Sequence, residues 1–129
     1  MRLLLDTHEF LWWCADDPRL GRAERQAIRD GANEVFLSAA SAWEMAIKQS
    51  LGRLTAPEPP SVATARIGMV QLPVAFAHAE ATLALPKLHR DPFDRMLVAQ
   101  ARVEGLTLMT SDPLVRAYPG VAFFSDGVG

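Results

Sequence analysis

Four acidic residues stand where short apolar runs give way to helical spacing. Asp6 follows Leu3-Leu4-Leu5, Glu44 lies beyond Val35-Phe36-Leu37, Asp94 closes the segment that starts at His89, and Asp112 follows the run Leu106 to Met109. Carboxylates gathered in one place repel one another unless a cation or a raised pKa relieves them. The chain has a single cysteine, Cys14, and no H-x-x-x-H pair, so an oxygen-only donor set points to a hard cation such as Mg²⁺ or Mn²⁺ rather than zinc. Such an ion neutralises a phosphodiester oxygen and lowers the pKa of a bound water, which makes phosphate chemistry the natural use of these acids.

Each acid also has an ordinary explanation. Ser41-x-x-Glu44 matches a capping box and Asp6-x-x-Glu9 a looser one, while Asp91-Pro92 and Asp112-Pro113 put an N-cap ahead of a proline suited to the first helical position. Capping does not require the caps to gather at one point. Whether these acids form a site therefore depends on the elements that carry them.

Those elements alternate. Five short apolar runs read as strands: Leu3 to Leu5, Val35 to Leu37, Met69 to Leu72, Leu106 to Met109 and Val121 to Phe124. The first is continuous rather than alternating, as in a strand covered on both faces. Between them lie helical stripes: Leu20, Ala23, Ala27 and Ile28; Trp43, Ala46, Ile47 and Leu51; Phe93, Met96, Leu97 and Ala101. Gly31 and Gly52 mark helix ends. Alternation of this kind predicts right-handed βαβ units, hence an α/β fold with a mostly parallel sheet and helices on both faces. In such a sheet the strand carboxyl ends share one edge, where ligand crevices form. All four acids fall at that edge or in the next helical turn. Residues 1–129 read as one domain without repeats, with a loose tail at 126–129.

Composition narrows the function classes. The 129 residues are 50% hydrophobic and 22% charged, enough for one core without staples. Thirteen Lys and Arg against 15 Asp and Glu give a formal charge of −2, so no global positive field draws the chain to nucleic acid or an anionic membrane. Positive charge for a phosphate must be local. A lone cysteine permits no internal disulfide and suits a reducing compartment, with the cytoplasm as the simplest expectation. The acid at residue 6 breaks any signal-peptide pattern. The longest uncharged stretch, 67–79, is too short to span a bilayer, so no membrane association is expected.

The segments LLLDTHEFLWW at 3–13, SAASAWEMAIKQSLGRL at 38–54 and HRDPFDRMLVAQARVEGLTLMTSD at 89–112, together with Tyr118, resemble the PIN-domain family and its VapC-type toxins. The resemblance runs from Leu3 to about Phe124 and implies a three-layer α/β/α sandwich. It also implies a metal-dependent endoribonuclease acting as the toxin of a toxin–antitoxin pair. The family's four acids fall on Asp6, Glu44, Asp94 and Asp112, as catalytic residues and ligands of Mg²⁺ or Mn²⁺. Its small hydroxyl residue near the last acid falls on Thr110. Thr7 follows the first acid, and both threonines would orient a carboxylate or a water. The implied partners are an RNA substrate, an antitoxin that inserts a basic side chain among the acids, and a second copy of the chain in a homodimer.

Around this frame several residues stay open. Glu9 stands where the family pattern expects a small or apolar residue; it adds charge to the site, caps the first helix or faces solvent, and capping or solvent exposure is the expected role. Asp91 is expected to cap. Lys48 either pairs with Glu44 at i, i+4 or touches a phosphate. Arg90 and Arg95 either contact phosphate or, for Arg95, sit on a solvated helix face or bridge an acid. His78 and His89 are expected to stand outside base catalysis, because the cation activates the water and neither has an evident orienting partner. Trp12, Trp13 and Trp43 read as core or partner-facing surface before base-stacking platforms. Two other readings compete: a non-catalytic module whose acidic groove binds a partner's arginine, and a phosphoacceptor domain, which the single acid after the first strand disfavours.

Overall fold

The computed structural model describes residues 1–125, so the tail expected at 126–129 lies outside the described residues. Five strands form one sheet: β1 (Arg2–Leu5), β2 (Glu34–Ser38), β3 (Val70–Leu72), β4 (Thr107–Met109) and β5 (Ala122–Phe123). Every pairing is parallel, and the strand order is β3-β2-β1-β4-β5. Seven helices connect them: α1 (Thr7–Ala15), α2 (Arg22–Arg29), α3 (Ala39–Ser50), α4 (Pro60–Ile67), α5 (Phe76–Ala81), α6 (Pro92–Glu104) and α7 (Pro113–Arg116). No helix among the described residues is long and apolar enough to cross a membrane.

The pleat explains why β1 is apolar throughout. Leu3 and Leu5 enter one core with Phe10, Ile28, Met45 and Ala63, the layer of α1 to α4. Leu4 enters the other with Phe36, Leu97, Val98, Val115 and Tyr118, the layer of α6 and α7. All three leucines are fully buried, so a polar residue at any of them would enter a core. The result is an α/β/α sandwich. Moving from β1 to β2 to β3, the chain walks one way across the sheet. It then returns over β1 to β4, so the direction reverses between β1 and β4. That reversal opens a crevice beyond their carboxyl ends.

Helix α3 is turned differently from the expected stripe. Trp43 is 64% exposed, and Ala46 and Leu51 are also exposed, whereas Ala40, Ser41, Glu44 and Met45 are buried. The helix is apolar around much of its circumference, and the inward face is the one that carries polar groups to the crevice. Its N-cap is Ser38, which accepts from the Ala40 N–H, so Ser41-x-x-Glu44 is not a capping box. Helix α6 starts at a true cap: Asp91 accepts from the N–H groups of Phe93 and Asp94. It ends at Gly105, whose φ of 66° turns the chain directly into β4.

Candidate active site

Asp6 occupies the N-cap position of α1, yet its side chain caps nothing. Instead Oδ2 accepts from the Thr110 hydroxyl at 2.7 Å, a contact that spans the β1–β4 pairing. Burial pushes the Asp6 carboxyl above its ordinary range, against the opposing pull of Thr110. Thr110 also accepts from the Asp112 N–H at 3.1 Å, so one hydroxyl ties the first acid to the backbone of the last.

Asp94 lies in the first turn of α6. Burial and the charges of Asp6 and Asp91 push its carboxyl up to about 6, while the His89 hydrogen bond pulls the other way. Asp6 and Asp94, far apart in sequence, therefore feel one another at the crevice. Glu44 reaches the same edge from α3. Its Oε1 is 2.8 Å from the Thr7 hydroxyl, which also lies 2.9 Å from Ser41 Oγ. One hydroxyl proton serves one acceptor, so Thr7 donates to the carboxylate and Ser41 donates to Thr7. The other Glu44 oxygen pairs with Lys48 at 3.1 Å. Asp112 spends Oδ1 on capping the Leu114 N–H of α7.

The four acids do not close into a ready-made cage. Among the described residues, no three Asp, Glu, His or Cys side chains stand close enough to ligate one ion. The reason lies in the partners just named: each carboxylate relaxes towards its own donor instead of facing its like. The donor set nevertheless fits a divalent cation. It is entirely oxygen, and among the described residues no Lys or Arg pairs with Asp6 or Asp94, so neither is already neutralised by the chain.

A PIN-domain family model matches residues 3–120. The chain belongs to the PIN-domain family. Ribonuclease VapC22 of Mycobacterium tuberculosis (strain ATCC 25618 / H37Rv) is 31% identical over 119 residues, covering 90% of this chain and 91% of the relative. That likeness puts this PIN domain among the VapC proteins. VapBC2 from Rickettsia felis bound to a promoter DNA fragment superposes with a TM-score of 0.71 over 96% of this chain and 98% of that one, at 14% identity. DNA-bound VapBC from Salmonella typhimurium gives 0.70 over 98% of both, at 16%. At those identities the likeness concerns the fold.

The PIN domain holds its basic residues unevenly. Arg95 is half-buried, and its guanidinium donates to the carbonyls of Thr82 and Pro86 and to the Tyr118 hydroxyl, with no acid among its partners in the described residues. Lys48 and Arg90 instead line a cleft of about 430 Å³ with Glu44 and Phe93. Arg53, which the sequence reading passed over, lines it too. Trp43 sits at this rim with its ring edge-on to Phe93, 5.4 Å between centroids. Trp12 and Trp13 pack on the core beneath Arg19 and Arg29.

Glu9 departs from its expected role. It is 2% exposed, and Oε1 accepts from both the N–H and the hydroxyl of Ser111, at 3.0 and 2.9 Å. It neither caps α1 nor meets solvent. Burial and the nearby Asp6 push its carboxyl up to about 7. Its position one turn beyond Asp6 on the same helix was the available signal. His89 also has the orienting partners that sequence reading did not find, Tyr118 on one nitrogen and Asp94 on the other.

Proposed function

We propose that this chain is a divalent-cation-dependent endoribonuclease, the toxin of a toxin–antitoxin pair. The observation that carries this reading is that Asp6 and Asp94 stand at the switch point of a PIN domain near enough for Asp6 to push the Asp94 carboxyl up, each held by a side-chain hydrogen bond and neither ion-paired to Lys or Arg among the described residues. Such a pair is poised for an external cation. Asp6 and Asp94 would hold Mg²⁺, or Mn²⁺, with Glu44 and Asp112 completing the set after small rotations. The bound ion would neutralise a phosphodiester oxygen and acidify the attacking water. Thr110 and Thr7 keep Asp6 and Glu44 aimed. Arg90, Arg53 and Lys48 supply the local positive charge that an acidic chain needs for flanking phosphates.

The ribonuclease name of the relative and the paired-protein nature of the VapBC structures support the RNA substrate and a partner antitoxin. The antitoxin would insert a basic side chain among the acids. A homodimer, with the cytoplasm as its compartment, completes the reading. Large apolar side chains left exposed for a second copy include Trp43 on α3, but also Phe76 at 87% and Leu83 at 92% in the other layer.

The test is cleavage of a defined RNA by partner-free protein with added Mg²⁺ or Mn²⁺. Asp6→Asn and Asp94→Asn are expected to lower the rate by at least about 10³-fold, with a melting temperature at or above the parent's because repulsion is removed without loss of packing. Asp94→Asn protein that cut as fast as the parent would overturn the assignment. Parent protein with no activity would leave the non-catalytic binding module.

A further inference from the structure

We propose that His89 is a positioning residue for Asp94, locked in a single tautomer by a hydrogen-bond chain that runs from Arg95 through Tyr118. This rests on the reading of Asp94 as a cation-holding acid, and it adds three residues that act on that acid from outside the metal-ligand set.

Proton bookkeeping settles the direction of the chain. Arg95 Nη1 lies 2.9 Å from the Tyr118 hydroxyl oxygen. A guanidinium has donors only, so the phenol oxygen accepts there. Tyr118 is 2% exposed, and the other partner of its hydroxyl among the described residues is His89 Nδ1 at 2.7 Å. The phenol proton must go to that nitrogen, since a buried donor without an acceptor is costly. Nδ1 is then an acceptor and carries no proton. The imidazole proton sits on Nε2, 3.3 Å from Asp94 Oδ2.

The anchor of the chain is rigid. Arg95 also donates to the carbonyls of Pro86, Thr82 and Leu85, at 2.8, 3.2 and 3.4 Å, which pins its guanidinium to the segment leading into α6. It lies over the Tyr118 ring, 5.8 Å from the centroid, and the tyrosine and histidine rings are 5.3 Å apart. Three side chains from two parts of the sequence thus deliver one N–H to one oxygen of Asp94. The Asp94 carboxylate is held through Oδ2, and its other oxygen has no hydrogen-bond partner among the described residues, the state a ligand needs. Outer partners of this kind typically change metal affinity or activity by roughly 10–100-fold.

Two measurements test this. In metal-free parent protein at pH 8, ¹⁵N-resolved imidazole spectra should show His89 as the Nε2–H tautomer, and Tyr118→Phe should convert it to a mixture. A parent ring protonated on Nδ1 overturns the proposal. In the second, Mn²⁺ affinity and kcat are measured across a double-mutant cycle. Tyr118→Phe should weaken Mn²⁺ binding about tenfold in the parent, and not at all in a His89→Ala background, with His89→Gln retaining more affinity than His89→Ala. Equal losses in both backgrounds would make Tyr118 a packing residue and end the proposal. If the parent fails to cut RNA, the nuclease reading falls while the tautomer measurement still decides the hydrogen-bond chain.

Discussion

The two ends of α6 carry the same pair of groups and put them to different uses. At its start, His89 Nε2 faces Asp94; at its end, His78 Nε2 lies 2.8 Å from Glu104 Oε1. Both rings have Nδ1 occupied by a donor, the Tyr118 hydroxyl in one case and the Ala75 N–H in the other. The surroundings differ. Asp94 sits near Asp6 and Asp91, whose charges push its carboxyl up. Glu104 is half-exposed at the helix's far end, and His78 is its one side-chain partner among the described residues. A histidine–carboxylate pair is thus no site by itself. Convergence with a second acid at the sheet's carboxyl edge is what distinguishes the proposed site.

The largest effect should separate the two carboxylates. Glu104→Gln keeps an acceptor for His78, so RNA cleavage should stay within about twofold of the parent, against the loss expected for Asp94→Asn. A large activity loss from Glu104→Gln would erase the distinction. Next come the two histidines, compared by denaturant unfolding. His78→Ala removes a fully buried ring and the acceptor of the Ala75 N–H, and should cost roughly 2 kcal/mol with kcat unchanged. His89→Ala also strands a buried donor, the Tyr118 phenol, and should cost stability too, but unlike His78→Ala it should lower Mn²⁺ affinity and kcat.

The smallest effect is a pH dependence. Asp94 and Glu9 have folded pKa values of about 6 and about 7, above ordinary values of 3.8 and 4.5. Between pH 4 and pH 7 the folded protein therefore holds more protons than the unfolded chain, and these groups make stability fall as pH rises. Metal-free protein should show this as a declining melting temperature across that window. In Asp94→Asn the decline should be shallower between pH 4 and 6, and Mn²⁺ should offset it in the parent by favouring the deprotonated acids. A parent curve that falls no more steeply than the Asp94→Asn curve would contradict the shared crevice.

Much of the architecture was legible because burial on both faces leaves a direct mark. Leu3 to Leu5 cannot alternate when each side of β1 meets a core, and the same logic holds for β2 and β4, whereas the edge strands β3 and β5 are largely exposed and stood out only as short apolar runs. The acids were legible because they stand at strand ends, positions that a parallel sheet brings to one edge. The face of α3 was not. With apolar residues around most of that helix, the stripe containing Trp43 and Leu51 looked as good as the one that is buried, and only their burial and contact with Thr7 show that Ser41 and Glu44 turn inward. Glu9 was misplaced for a related reason: its acceptor role depends on Ser111, which the β1–β4 register carries to it from far along the chain.

The amino-acid sequence by itself determined the alternation of strands and helices and an oxygen-only set of acids near strand ends, since local periodicity and residue chemistry need no knowledge of neighbours. Which donor holds each acid was decided by tertiary structure alone. Thr110 reaches Asp6 because the chain reverses direction across the sheet and lays β4 beside β1, and Tyr118 reaches His89 because α7 packs beside α6. A hydrogen bond is set by distance and angle in space, and those are fixed only once the layers have packed.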